Sequence, residues 1–203
     1  MSLKVNNLGF CYRPESWVFR NVSIEVPKGG RIGIYGNSGC GKTTLAKILA
    51  SFISPKEGEV VVDGENQKRE GFQPVQLIFQ HPEKTMNPLW RMKDSLCESY
   101  VPEKSLLDAF GIRDEWMERY PIELSGGDLQ RFSIVRALHP ETKYIIADEM
   151  TTMLDAITQA SIWKGLLEIV KERNLGLIVI SHEMAIIDKI CDSCLNLEDY
   201  CHA

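Results

Sequence analysis

The stretch "GNSGCGKTT", Gly36 to Thr44, constrains this chain more than any other. It follows a short apolar run, "RIGIYG", and leads into "KTTLAKILASF" (Lys42 to Phe52), where Leu45, Ile48 and Leu49 recur at helical spacing. Gly36, Gly41, Lys42 and Thr43 satisfy G-x-x-x-x-G-K-[ST]. Glycines let the backbone take positive φ and approach a ligand closely, so successive N–H groups can point at phosphate oxygens. A helix beginning near Lys42 adds the positive end of its dipole. In such a loop the lysine reaches the β- and γ-phosphates and the Thr43 hydroxyl ligates Mg²⁺. A glycine-rich turn before a helix is the simpler alternative, and the order strand, loop, helix is what argues against it. Asn37, Ser38, Gly39 and Cys40 fill the loop, and Thr44 completes the nucleotide-binding set.

A phosphate loop needs a second acidic position for the metal's water shell. "YIIADE" supplies it: an apolar strand ending in Asp148, placed to bind Mg²⁺ through water, and Glu149, placed to polarise an attacking water as general base. Taken alone, two solvated acids at a strand end would do nothing; the upstream loop gives them a purpose.

Strand patterns recur at Val22, Ile24 and Val26, at "EVVVDG" with its Asp-Gly turn, at "VQLIFQ", "KYIIAD" and "LGLIVIS". Between the last two, Ala156, Ala160, Trp163, Leu167 and Val170 mark one helical face. Apolar strands alternating with amphipathic helices predict an α/β fold around a mostly parallel sheet. "PLWRMKDSLCESY" and "SLLDAFGIRDEWMERY" carry helical patterns broken by prolines and no strand signal. The expected organisation is one domain over residues 1–203, with a nucleotide-binding core from 1–80 and 141–203 and an inserted helical lobe from 81–140.

The chain has 203 residues, enough for one good core, and a net charge of −5, which disfavours a nucleic-acid partner. No apolar run approaches a membrane span, and "MSLKVNNLGF" lacks a signal peptide's apolar core, so a cytoplasmic place is expected. The six cysteines are read as small buried hydrophobes. Cys191, Cys194, Cys201 and His202 have the composition of a zinc site, but Cys191 and Cys194 close an apparent helix.

"LSGGDLQR", Leu124 to Arg131, chooses among nucleotide-binding families. It resembles the LSGGQ signature of ATP-binding-cassette (ABC) ATPases. Ser125, Gly126 and Gly127 at a helix start offer a hydroxyl and bare N–H groups to an anion, while Ser125 and Asp128 also fit a simple capping box. Other landmarks of that family fall in order. Gln80 in "LIFQ" stands at the glutamine that senses the metal and couples to the membrane partner. Asp155 in "TMLDA" stands at the dimer-crossing aspartate, and His182 in "VISH" at the histidine that contacts the γ-phosphate. Tyr12 in "GFCY" matches the aromatic that stacks on adenine. "FQHPEKTMNP", "YPIELSGG" and "LDAITQA" resemble the peptide/nickel importer branch, whose members usually continue beyond where this chain stops.

The resemblance implies a P-loop fold of ABC type with an N-terminal antiparallel β part. It implies ATP and Mg²⁺ as ligands, and a second ABC subunit, in a homo- or heterodimer, whose γ-phosphate faces the signature segment. It further implies separate transmembrane permease subunits, an extracytoplasmic substrate-binding protein, and a peripheral place on the cytoplasmic face of the membrane. An ABC ATPase acting on nucleic acid or the ribosome, or a weakly active regulatory subunit, are the alternatives. Asp128 for the usual glutamine, Met150 for proline, His81 for aspartate and Cys40 in the loop depart from the pattern, and none removes a group the chemistry requires. An active ATPase is expected.

Overall fold

The computed structural model describes residues 1–14, 16–67 and 70–201. Two long strands, β1 (Ser2–Arg13) and β2 (Ser16–Pro27), pair antiparallel, and Val22, Ile24 and Val26 point inward as their alternation predicts. The sequence pattern missed β1 and the first half of β2. Register shifts between Val5 and Leu8 and again between Phe10 and Arg13 break the period-two alternation, and Asn7 and Asn21 take left-handed backbones. A turn closed by Gly30 N–H to the Pro27 carbonyl leads to β3 (Arg31–Tyr35).

Helix α1 (Lys42–Leu49) follows the phosphate loop. It stops short of the expected Phe52 because Ser51 takes φ +63°, and the N–H groups of Ser51 and Phe52 reach back to the carbonyls of Ile48 and Lys47. These bonds satisfy the helix's last acceptors and turn the chain away. Strands β4 (Glu57–Val62) and β5 (Glu65–Asn66) join through Asp63 and Gly64, both at positive φ, the predicted Asp-Gly turn. β4 pairs with β1, so the first sheet runs β2-β1-β4-β5.

The second sheet is wholly parallel. It adds β6 (Val75–Ile78), β7 (Tyr144–Asp148), β8 (Gly176–Ile180) and β9 (Ser193–Asn196), in the order β6-β7-β8-β3-β9. Strand β9 is a correction: Cys194 lies in this edge strand, not at a helix end. Between β6 and β7, residues 81–140 carry only helical elements among the described residues: α2 (Met92–Leu96), α3 (Lys104–Ala109), α4 (Gly126–Ala137) and short 3₁₀ turns. Helix α5 (Ala156–Glu172) crosses from β7 to β8, and α6 (Met184–Ile190) from β8 to β9.

The parallel sheet is buried on both faces, as continuous apolar strands require. Ile78, Ile145, Ala147, Leu177 and Val179 pack in one cluster with residues of α2, α3, α4 and α5. Their neighbours Leu77, Tyr144, Ile146, Ile178 and Ile180 face α1 and the antiparallel sheet. Helix α5 is rotated from the sequence reading. Ile162, Trp163, Leu166, Ile169 and Val170 are buried, whereas Ala156 and Ala160 are exposed and Leu167 is half-buried. The latter three instead border an open groove of about 930 Å³ between α5 and α6.

Candidate ATP site

The carboxyl ends of β7, β8 and β3 lie side by side, and each delivers one part of a site. β3 runs into the loop, β7 ends at Asp148, and β8 is followed by Ser181 and His182. Main-chain bonds fix the alignment: Ser181 N–H to the Ile34 carbonyl at 3.2 Å, and Glu149 N–H to the Ile180 carbonyl at 2.9 Å. The strand ends of a parallel sheet, where the chain order reverses, are where such folds bind ligands.

The loop depends on two glycines. Gly36 sits at φ +150°, and a Cβ there would lie 2.8 Å from Cys40 Sγ. Gly41, at φ +101° before α1, would place a Cβ 2.5 Å from Val18 Cγ1. Neither backbone suits an L side chain, and neither has room for one. Lys42 is buried and donates to the carbonyls of Gly36 at 2.8 Å and Asn37 at 3.0 Å, so the loop curls around its ammonium. Tyr12, 68% exposed, meets α1's first turn, its hydroxyl 2.8 Å from Thr44 Oγ1.

Asp148 is buried, and its Oδ1 has no hydrogen-bond partner. Burial pushes its carboxyl above the usual range, against the pull of the Thr43 hydroxyl and the Lys42 ammonium. An orphaned carboxylate oxygen beside a hydroxyl is a donor set that suits a hard, oxygen-seeking cation.

Glu149 takes φ +47°, a left-handed backbone uncommon for its residue type. Its carboxylate stands 3.8 Å from Lys42 Nζ and 3.4 Å from His182 Nδ1. The strained turn is braced from behind: Thr152 donates its hydroxyl to the Glu149 carbonyl at 3.0 Å and accepts Gln80 Nε2 at 3.1 Å. Strain of this kind persists where surrounding bonds over-determine it, and it concentrates at functional positions.

Gly36, Asn37, Ser38, Lys42, Glu149 and His182 share a cavity of about 510 Å³. Tyr35, Asn196 and Glu198 also line it, and sequence reading named none of them. Asn196 ends the unrecognised β9 and Glu198 follows it, so no motif marked them. Ser125, Gly126, Gly127 and Asp155 do not line this cavity. They form a second patch, where a Cβ on Gly127 would lie 3.1 Å from Thr158 Cγ2. Asp155 caps α5 by accepting the N–H groups of Ile157 and Thr158 at 3.1 and 3.0 Å. The capping box of α4 is present in full: the Ser125 hydroxyl accepts the Asp128 N–H at 3.2 Å, and Asp128 Oδ2 accepts the Ser125 N–H at 3.2 Å and also the Ser125 hydroxyl at 2.6 Å. Among the described residues no cluster of three or more metal-binding side chains occurs, and His202 of the Cys/His grouping lies outside them. None of the six cysteines is fully buried, contrary to the reading as core hydrophobes.

A lysine-bearing glycine loop between strand and helix, with an acidic strand end beside it, makes this a P-loop nucleoside triphosphatase. The profile of the family described as "ABC transporter" matches residues 19–152. The chain belongs to that family and is an ATP-hydrolysing, nucleotide-binding subunit. It is 30% identical, over 97% of its length and 87% of the relative's, to the nickel import system ATP-binding protein NikE of Staphylococcus aureus. Solved structures share the fold. One is cbiO1 of Clostridium perfringens, part of the ABC transporter complex cbiONQ (TM-score 0.80, 23% identity, 96% of this chain and 83% of that one). Another is a dimeric ATP-binding cassette in a post-hydrolysis state with ADP and Pi (TM-score 0.80, 23% identity, 96% and 93%).

Proposed function

We propose that this chain powers an importer of nickel or peptides as one of two ABC subunits bound to a separate permease. In this reading it is a single domain whose 81–140 lobe relays motion. The observation that carries the reading is the Glu149 carboxylate, held between the Lys42 ammonium and His182 at the mouth of the phosphate loop. Its nickel assignment draws on the likeness to NikE.

The loop amides, Lys42 and the α1 dipole take the triphosphate, with Tyr12 against the adenine. Thr43, Asp148 and Gln80 would hold Mg²⁺, which neutralises charge on the phosphates when bound. Glu149 accepts the proton of the attacking water, and His182 steadies the γ-phosphate. The outlying patch of Ser125, Gly126, Gly127 and Asp155 serves the partner's nucleotide, which explains its distance from this chain's own cavity. Loss of the γ-phosphate then separates the pair.

No helix of the described residues is long and apolar enough to cross a membrane. The chain would sit at the cytoplasmic face, carried there by the permease, with a substrate-binding protein on the other side and no nucleic acid. Exposed apolar side chains on the helical lobe supply the docking surface: Leu89 is 83% and Ile122 93% exposed, with Trp90 and Tyr120 also open.

Glu149→Gln is the direct test. ATP-dependent association should persist while kcat falls by roughly 10²–10⁴-fold, the usual worth of a general base. Undiminished hydrolysis would remove Glu149 from the role. A regulatory, slowly turning subunit is the second reading, favoured by the Ser125 hydroxyl's engagement with Asp128; a wild-type ATPase assay separates the two.

A further inference from the structure

The segment after β9 returns to the phosphate loop. Asn196 Oδ1 accepts the Glu198 N–H at 3.2 Å and starts a 3₁₀ turn, Leu197–Tyr200, anchored by the fully buried Leu197. From this turn Glu198 Oε1 accepts the Asn37 N–H at 2.5 Å. Cys201, at the end of the turn, aims its Sγ at two carbonyls, those of Leu197 and Cys40, each at 3.3 Å. The Cys40 thiol faces the same region. A Cβ built on Gly36 would meet Cys40 Sγ at 2.8 Å and Glu198 Cγ at 3.3 Å, so the loop thiol and the returning turn crowd one point. Both thiols are partly exposed and neither is in a disulfide.

We propose that Cys40 and Cys201 are an oxidation site: hydrogen peroxide joins them in a reversible disulfide that clasps the C-terminal turn to the phosphate loop. One cysteine attacks the peroxide O–O bond as its thiolate, becoming a sulfenic acid, and the departing hydroxide takes up the thiol's proton to leave as water. The other thiol then attacks that sulfur, and the S–OH bond breaks as S–S forms, releasing a second water. Two thiols thus supply the two electrons and two protons that reduce one peroxide. Closing the bond needs Cys201 Sγ to turn from the Cys40 carbonyl to the thiol of the same residue. Burial pushes the Cys201 thiol above its usual range, which lowers its thiolate fraction and slows its own attack on an oxidant.

Once clasped, Glu198 is pinned at the rim of the cavity that receives the triphosphate, a carboxylate beside an anion site. This consequence rests on the assignment of the loop to ATP; formation of the bond does not.

The purified chain should be treated with hydrogen peroxide, then digested without reductant for peptide mass spectrometry, with ATP binding measured in parallel by calorimetry. The expected result is a linked pair of peptides carrying Cys40 and Cys201 and about tenfold weaker ATP binding, both reversed by dithiothreitol. Cys201→Ser and Cys201→Ala should bind ATP normally when reduced, form no such link and keep their affinity through peroxide treatment. Absence of the linked peptides, links that favour other cysteines, or a complete link with unchanged ATP affinity would overturn the clasp. Reduced wild-type chain that ignores ATP would instead sink the loop assignment, and mass spectrometry would still read the bond.

Discussion

Thr152 connects two groups that the sequence treats as unrelated. Its hydroxyl holds the Glu149 carbonyl and accepts the Gln80 amide, so movement of Gln80 should reach the strained backbone of the proposed base. Thr152→Val keeps the shape and removes both bonds. It should lower kcat by up to roughly 5- to 150-fold, the worth of two hydrogen bonds of about 0.5–1.5 kcal/mol each, with KM for ATP unchanged. Thr152→Ser should restore the rate, and Gln80→Ala combined with Thr152→Val should be no worse than the more damaging of the two. Multiplying losses would disprove the relay. Asp128 is the other residue whose effect is local. It holds the signature serine's proton at 2.6 Å and brings a negative charge to a helix start that would meet phosphate. In a Glu149→Gln background, Asp128→Gln should tighten ATP-driven association by about three- to tenfold, measured by analytical ultracentrifugation.

At the scale of elements, packing sets the geometry. A Cβ on Gly33 would strike Ile187 Cγ2 at 2.4 Å, so this glycine lets α6 lie against β3. Gly33→Ala should cost about 1–3 kcal/mol as an overpacked site, seen as a lower Tm and, because His182 lies between β8 and α6, as slower turnover. Asp155 illustrates charge at a helix start. Its bond from the Thr158 hydroxyl, then those from backbone N–H groups, hold its carboxyl below the usual range. A depressed carboxylate pKa stabilises the fold above the unfolded value, and that stability is lost as pH falls through the folded one. The N-terminal turn of α5 should therefore fray only in acid below the ordinary aspartate range, and Asp155→Ala should fray it at neutral pH, read by amide exchange.

Legibility followed periodicity and local chemistry. The loop, the ends of β7 and β8 and the Asp-Gly turn were readable because each depends on a few contiguous residues. Strand β1 was hidden by bulges, and β9 by its brevity at the sheet edge. Thr152 and Glu198 were invisible for another reason: their partners, Gln80 and Asn37, are distant in sequence and meet only after the sheet assembles.

At the scale of the whole molecule, the parallel sheet lies between the antiparallel layer with α1 on one face and α2 to α5 on the other. The lobe's open apolar side chains can be tested apart from the chemistry. Leu89→Glu with Ile122→Glu should abolish co-purification with the permease while ATP hydrolysis by the isolated chain stays within about twofold of wild type, since exposed substitutions remote from special features disturb stability by about 0.5 kcal/mol or less. The left-handed peptide at position 149 carries a warning for anyone hardening this protein. Asparagine suits that backbone better and relieves the crowding of two neighbouring acids, so Glu149→Asn should melt higher, by about 1 kcal/mol of stability. A screen that ranks variants by heat resistance alone will select it, and will select a machine that no longer runs.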